Sequence, residues 1–192
     1  MNKPQLLLIG GGGHCHSVID VIEQQNRYAI AGIVDTPENI GRQVLGYPVI
    51  ATDDQLAKLY GEYLHAIVTI GQIKSSSLRV RLYQQLKKIG YQLPSIISPL
   101  AYVSRHAHIG EGTVVLHHAL VNANARVGNN CIINSKALIE HDAQVHDHCH
   151  IATACVINGG VVIEADTFIG SNVTSVQGCT LKGFIKAGAL AK

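Results

Sequence analysis

The chain reads as two folds in series: half of a doubly wound α/β sheet over residues 1–94, then a parallel β-helix built from hexapeptide repeats over residues 95–192. The first observation is periodic. Thirteen positions spaced six apart are all valine or isoleucine: Ile97, Val103, Ile109, Val115, Val121, Val127, Ile133, Ile139, Val145, Ile151, Ile157, Ile163 and Ile169. A 3.6-residue helical period would smear them over several faces, and a two-residue alternation gives no reason for a polar, Gly- or Asn-rich gap between them. A short repeat of this kind signals a β-helix, in which each six-residue unit makes one flat side and its aliphatic stacks on the equivalent in the next coil, roughly 4.8 Å away. Three sides make one turn. The second observation is that the residue two before the aliphatics from Ile109 to Ile157 is small: Ala107, Thr113, Ala119, Ala125, Cys131, Ala137, Ala143, Cys149 and Cys155. A small side chain suits a tight corner inside the coil. The third is that strand and helix alternate over the first ninety residues.

In order, Leu6 to Ile9 is a short apolar strand, Gly10 to Gly13 a glycine loop, and His14 to Gln25 a helix with Val18, Ile19 and Ile22 on one face. A second strand, Ile30 to Val34, ends at Asp35; a third apolar run, Ala66 to Ile70, ends at Gly71. Helical stretches fall around Asp53 to Tyr60 and over Ser75 to Ile89, the latter closed by Gly90. This order gathers Gly10 to His14, Asp35 and Gly71 along one sheet edge, where ligands of such sheets bind. The six-residue beat starts near Pro94 to Pro99 and falters after Ile169, where the next slots hold Ser175, Leu181 and Ala187.

Composition narrows the function. A net charge of +2 without a Lys/Arg cluster, two Phe and no Trp argue against a nucleic-acid surface. The opening Met1-Asn2-Lys3-Pro4-Gln5 runs into only four apolar residues before glycine, which reads as neither signal peptide nor membrane span, so the expected location is cytoplasmic. Of five cysteines, Cys131, Cys149, Cys155 and Cys179 fall in the small-residue column and Cys15 begins a helix. With no CxxC pair they read as small buried thiols in a reducing compartment, and no metal is expected.

Two features carry chemistry. The glycine loop after the first strand offers backbone N–H groups and a helix N-terminus to a phosphate. The dinucleotide fingerprint lacks its third glycine, since the position holds Cys15 or His16, so the half-sheet suits a mononucleotide or nucleotide sugar. Asp35, at a strand end, is placed to accept hydrogen bonds from a ribose or base. On the coils lies Glu140-His141-Asp142, followed by His146, His148 and His150. His141 and Asp142 come just after an inward aliphatic, near a corner, and should face outward. A neutral imidazole near pH 7 can remove a proton from an amine or hydroxyl that attacks an acyl group, and an adjacent carboxylate fixes its tautomer and raises its basicity.

The glycine loop ending in His, the Ile33-Val34-Asp35 strand end and the Ile70-Gly71 pair, joined to repeats carrying Ile139-Glu140-His141-Asp142, resemble the bacterial nucleotide-sugar acetyltransferases of the hexapeptide-repeat superfamily. The likeness is greatest to those that N-acetylate a UDP-4-amino-4,6-dideoxy sugar, with sialic acid O-acetyltransferases as near relatives. The resemblance implies a Rossmann-like half-domain before a left-handed β-helix, with acetyl-CoA as acetyl donor and a UDP-amino sugar of surface glycan biosynthesis as acceptor. It also implies a homotrimer with sites between subunits. Residue by residue, it implies His141 as general base, Asp142 as the acidic partner that relatives usually supply as glutamate, and the Gly159 N–H as oxyanion donor. Gly12, Gly13, His14, Asp35, Ile70 and Gly71 fall on the nucleotide-sugar pocket; His150 falls by the thioester, and Gly170, Ser171 and Ala187 along the coenzyme A groove. The chain departs from the pattern in its last coil, Phe184-Ile185-Lys186-Ala187-Gly188-Ala189-Leu190, which comes about two residues early. The rival readings are O-acetylation of a sugar hydroxyl by the same machinery, a β-helix scaffold without activity, and a zinc-dependent β-helix carbonic anhydrase, which would leave the N-terminal fold unexplained.

Overall fold

The computed structural model describes residues 3–192; Met1 and Asn2, part of the N-terminal stretch read above, lie outside the described residues. The described residues divide into two compact units, one running to Gly71 and resuming over Leu78–Pro94, the other of Gln72–Ser77 and Ser95–Lys192. The six-residue stretch Gln72–Ser77 is therefore the exception to a single cut after Pro94.

In the first unit, β1 (Gln5–Ile9) lies between β2 (Ala29–Val34) and β5 (His65–Val68), parallel to both. Strand β4 (Tyr47–Ala51) continues the sheet beside β2, and β3 (Gln43–Val44) closes the edge antiparallel to β4. Helix α1 (Gly13–Gln25) buries Val18, Ile19 and Ile22 at the spacing of one helical face and ends at Asn26, whose φ of 56° gives a left-handed cap. Strand face and α2 (Ser77–Ile89) share a core of Leu7, Ile9, Val68, Leu82 and Leu86. Gly90 closes α2 with φ +112°, its N–H returning to Leu86 O at 3.1 Å. Two differences from the sequence reading have physical reasons. The third strand stops at Val68, after which Thr69 donates its N–H to Ile9 O at 2.8 Å and its hydroxyl to Gly10 O at 2.6 Å, tying the chain to the glycine loop. The β3–β4 hairpin escaped notice because its two-residue turn, Leu45-Gly46 with φ 48° and 87°, puts leucine where Asn-Gly turns normally announce themselves.

The second unit is a left-handed coil of two-residue strands. Its strands fall into three parallel sheets, and partners such as Leu120 and Leu138 or Ile133 and Ile151 stand 18 residues apart, one full turn of three hexapeptides. The inward column from Val115 to Ile169 is almost wholly removed from solvent, each member between 0 and 2 % exposed. Burying one such side chain is worth roughly 1.5–3 kcal/mol. The small column sits beside it, with Ala119, Ala125, Cys131, Ala137, Ala143, Cys149 and Cys155 all buried. A third column makes the corners. Every sixth residue from Gly112 to Gly178 has φ between 52° and 69°, among them Asn124, Asn130, Asp142, His148 and Ala154.

The last coil corrects one expectation. Thr180–Leu181 and Phe184–Ile185 are separated by a two-residue corner at Gly183, with φ +75°, so Phe168 pairs with Phe184, 16 residues on. Ser175 and Leu181 keep the inward slot, but the lost pair of residues moves it to Ile185 and Ala191, and Ala187 lies on an exposed corner. Three sheets persist to the last strand, Leu190–Ala191.

Candidate active site

The corner after strand Leu138–Ile139 gathers the titratable groups of interest. His141 is exposed and its Nδ1 lies 2.8 Å from Asp142 Oδ2. A carboxylate only accepts, so Nδ1 carries the proton and Nε2 presents its lone pair outward. The hydrogen bond to Asp142 raises the imidazole above its ordinary pKa. The Asp142 carboxyl is held below the usual range, first by the Asn124 amide and then by His141. Glu140 points along the same corner, its Oε2 taking the Asn122 amide at 2.7 Å and the His141 backbone N–H at 3.1 Å, and these two bonds lower its pKa in that order. One coil on, Gly159 lies under the imidazole. A Cβ there would stand 2.8 Å from Cε1 and 2.9 Å from Nε2. His141, Asp142 and Gly159 thus meet at one corner.

In the first unit the glycine loop is built by close approach. Gly10, with φ +106°, donates to Val34 O at 2.8 Å, and a Cβ on it would overlap Ile70. Gly11 donates its N–H to Asp35 Oδ2 at 2.6 Å. Asp35 Oδ1 accepts from the Thr36 N–H at 2.7 Å and from the Asn39 amide at 3.3 Å. Burial would raise the Asp35 pKa, but the N–H groups of Thr36 and Gly11 and the Asn39 amide outweigh it and hold the carboxyl down. Gly12 caps α1 without a side chain, and a Cβ at Gly12 or Gly13 would meet nothing within 4 Å, which leaves the helix N-terminus open. His14 packs its Cβ 3.5 Å from where a Gly71 Cβ would be. A cleft beside the loop is lined by Ile9, Asp35, Thr36, Asp53, Ile70 and Arg81. The six residues expected at a nucleotide-sugar pocket are therefore neighbours in or beside one loop.

The remaining expected residues occupy other parts of the coil. Gly170 and Ser171 form the corner after Phe168–Ile169, and the last coil lies on them: a Cβ at Gly170 would stand 2.5 Å from Ala187 N, and Gly188 N–H donates to Ser171 O at 2.9 Å. His150 is buried on the side that precedes this corner. Its Nδ1–H donates to Gln72 O at 2.5 Å, Asn134 lies 3.2 Å from Nε2, and Phe168 packs edge-on at 5.2 Å. His146, His148 and His150 do not share one strand face, because a corner with His148 at φ 62° intervenes. Among the described residues no three His, Cys, Asp or Glu side chains come together as a metal site, and no helix is long and apolar enough to cross a membrane.

Sequence reasoning missed Asn122, Asn124 and Arg79. The asparagines each lie 18 residues before the carboxylate they serve, Glu140 and Asp142, so the coil length was the signal that would have found them. Arg79 is 1 % exposed and its Nη1 donates to Val68 O at 2.8 Å and Ile70 O at 2.9 Å, fixing the strand end beside Gly71. A lone arginine in an amphipathic helix gives no such sign.

Residues 5–86 match the family described as the PglD N-terminal domain. No curated protein sequence matches the chain. Among solved structures, the acetyltransferase domain of PglB from Neisseria gonorrhoeae, in complex with acetyl coenzyme A, superposes with a TM-score of 0.90 at 28% identity, covering 100% of this chain and 92% of that one. A mutant of perosamine N-acetyltransferase from Caulobacter crescentus, in complex with CoA and GDP-perosamine, gives 0.71 at 26% identity over 97% of this chain and 92% of that one. WeeI from Acinetobacter baumannii shares the fold, with a TM-score of 0.54 at 19% identity over 98% and 96% of the two chains.

Proposed function

We propose that this chain, similar over its full length to acetyltransferases of known structure and matching the PglD N-terminal domain over residues 5–86, is a hexapeptide-repeat nucleotide-sugar acetyltransferase that transfers the acetyl group of acetyl-CoA to the 4-amino group of a UDP-4-amino-4,6-dideoxy sugar. The observation that carries the mechanism is the His141–Asp142 bond of 2.8 Å, which leaves Nε2 free of the proton on an exposed corner. In this reading the glycine loop and the open N-terminus of α1 hold the nucleotide diphosphate. The amine nitrogen attacks the thioester carbonyl carbon, its proton passes to His141 Nε2, and the Gly159 N–H faces the oxygen that gathers negative charge. The C–S bond then breaks, and the imidazolium returns a proton to the departing thiolate. Positioning two bound substrates supplies much of the acceleration.

In this reading the acetyl donor lies along the corner at Gly170 and Ser171, on which the last coil packs through Ala187 despite its missing pair of residues. That corner and the His141 corner bound the same side of the coil. The outward residues of this side include Tyr102, Leu120, Leu138, Val156 and Leu190, with Tyr102 60% and Leu190 62% exposed. So apolar a side supports a second copy packing there, in a trimer whose donor groove lies between subunits.

The test is thiol release from acetyl-CoA by the purified protein, offered a UDP-4-amino-4,6-dideoxy sugar, GDP-perosamine, a sialic acid or no acceptor, with His141→Ala in parallel. Turnover with the UDP-amino sugar, lost in the variant, supports the proposal. Turnover with GDP-perosamine alone would change the nucleotide, turnover with sialic acid alone would make the enzyme an O-acetyltransferase, and silence without acetyl-CoA binding would leave a scaffold.

A further inference from the structure

Asp142 occupies a left-handed corner, φ 62°, where the short carboxylate of aspartate is tolerated and a longer side chain has less to offer. The shortness has a consequence for a group that must hold an imidazole from the next residue along. Its carboxylate stands on an exposed corner, and one hydrogen bond to His141 would leave it free to rotate about its terminal torsion, which is broad and roughly two-fold for aspartate. The coil below prevents this. Asn124, 18 residues earlier and at the same corner with φ 60°, donates its amide to Asp142 Oδ1 at 2.6 Å, while Oδ2 meets His141 Nδ1 at 2.8 Å. The two carboxylate oxygens are thus assigned to two different partners. A parallel rung lies beside it, where Asn122 donates to Glu140 Oε2 at 2.7 Å and the same oxygen accepts the His141 backbone N–H. Side chain and backbone of His141 are both held through carboxylates that asparagines of the preceding coil orient.

We infer that Asn124 is a positioning residue of the acetyl transfer: it touches no reacting atom, but by fixing Oδ1 of Asp142 it keeps Oδ2 on Nδ1 and so keeps Nε2 aimed as the base. The inference rests on the proposed role of His141. The left-handed backbone at Asn124 dictates how it is tested, since an alanine or leucine there would add strain of its own. Glycine adopts that φ without steric cost, so Asn124→Gly removes the amide alone. Asn124→Asp keeps size and turn preference but replaces the donor by a second carboxylate facing Asp142.

Two readouts are needed, the titration of the His141 imidazole by NMR in the full-length protein and the pH dependence of kcat. Without the amide, Asp142 swings toward solvent and His141 loses its support, so in Asn124→Gly the imidazole titrates at lower pH than in wild type. In Asn124→Asp the added negative charge holds the imidazolium, and titration moves to higher pH. Both variants lose about five- to tenfold in kcat, a fraction of the roughly 10²–10⁴ that general-base help provides, with the KM for acetyl-CoA unchanged. Opposite displacements of the two titrations are an outcome that simple loosening of the corner does not produce. Titrations that coincide with wild type, or that move together, overturn the inference while His141→Ala still abolishes turnover. If His141→Ala keeps full activity, the base assignment has failed and the role of Asn124 falls with it.

Discussion

The imidazole of His141 rests on the backbone of Gly159, one coil and 18 residues further along, in the space that any side chain at 159 would need. A Cβ there would lie 2.8 Å from Cε1, nearer than carbon atoms approach, so the ring must shift. It is the exposed end of a flexible side chain and shifts easily, which separates function from fold. Gly159→Ala is expected to change the melting temperature little and to lower kcat about 10- to 100-fold, a large part of what general-base catalysis supplies. Steady-state kinetics beside a thermal melt checks this; an unchanged kcat would remove His141 from the transfer step.

Asp142 makes the pH dependence predictable in sign. With His141 as the proposed base, the transfer needs its imidazole neutral, and the bond to Asp142 raises the His141 pKa. Activity should therefore fall as pH drops through a value above the ordinary histidine pKa of about 6.5. Asp142→Asn removes the anion yet suits the left-handed corner, so the fold persists, the acid limb moves to lower pH, and the plateau drops about 10- to 100-fold as basicity is lost. A pH profile of kcat for the two proteins decides it, and an acid limb left in place would mean that another group sets the profile.

How much of this was legible depends on which interaction each residue makes. Inward aliphatics repeat because every rung has the same core to fill, so Val115 to Ile169 wrote the coil into the sequence directly. His141 and Asp142 stood out because they are adjacent and chemically distinct. Asn124 did not, since its partner lies a full coil away and asparagine at a corner is already explained by its positive φ. The hairpin at Leu45-Gly46 was hidden for the opposite reason: neighbours in the sheet override the local preference of leucine. Arg79 pairs with main-chain carbonyls, which carry no trace in the identities of the residues that supply them.

Four of the five thiols, Cys15, Cys131, Cys149 and Cys155, should be inert in the folded protein. Burial pushes Cys15 up to about 11, a hydrogen bond with Cys131 followed by burial raises Cys149, and burial raises Cys155. Cys131 and Cys149 also sit in the small-residue column at 0% exposure. With a disulfide-exchange reagent at pH 8, Cys179, half-buried in the penultimate coil, is expected to be the one thiol that reacts natively. All five should react in denaturant. Rapid native labelling of Cys149 would overturn the reading of this column as closed core.

The corner column predicts that one kind of substitution has opposite signs at two slots of the same repeat. Ala154 occupies the left-handed slot with φ 57°, although its neighbours in that column include Asn124, Asn130, Asp142, Gly160 and Asn172. An L-residue with a Cβ there bears about 1–2 kcal/mol of strain, whereas glycine loses about 0.5–1 kcal/mol through its greater freedom when unfolded. Ala154→Gly should therefore stabilise the coil by about 0.5–1 kcal/mol. Ala143 has no positive φ and is fully buried in the small-residue column. Ala143→Gly relieves no strain, deletes a buried methyl and adds chain freedom, for a loss of roughly 1–2 kcal/mol. Urea unfolding of the two variants at one protein concentration tests the pair. If both destabilise, the positive φ at 154 is not a source of strain, and the Asn, Asp and Gly that fill the column must be there for their side-chain contacts instead.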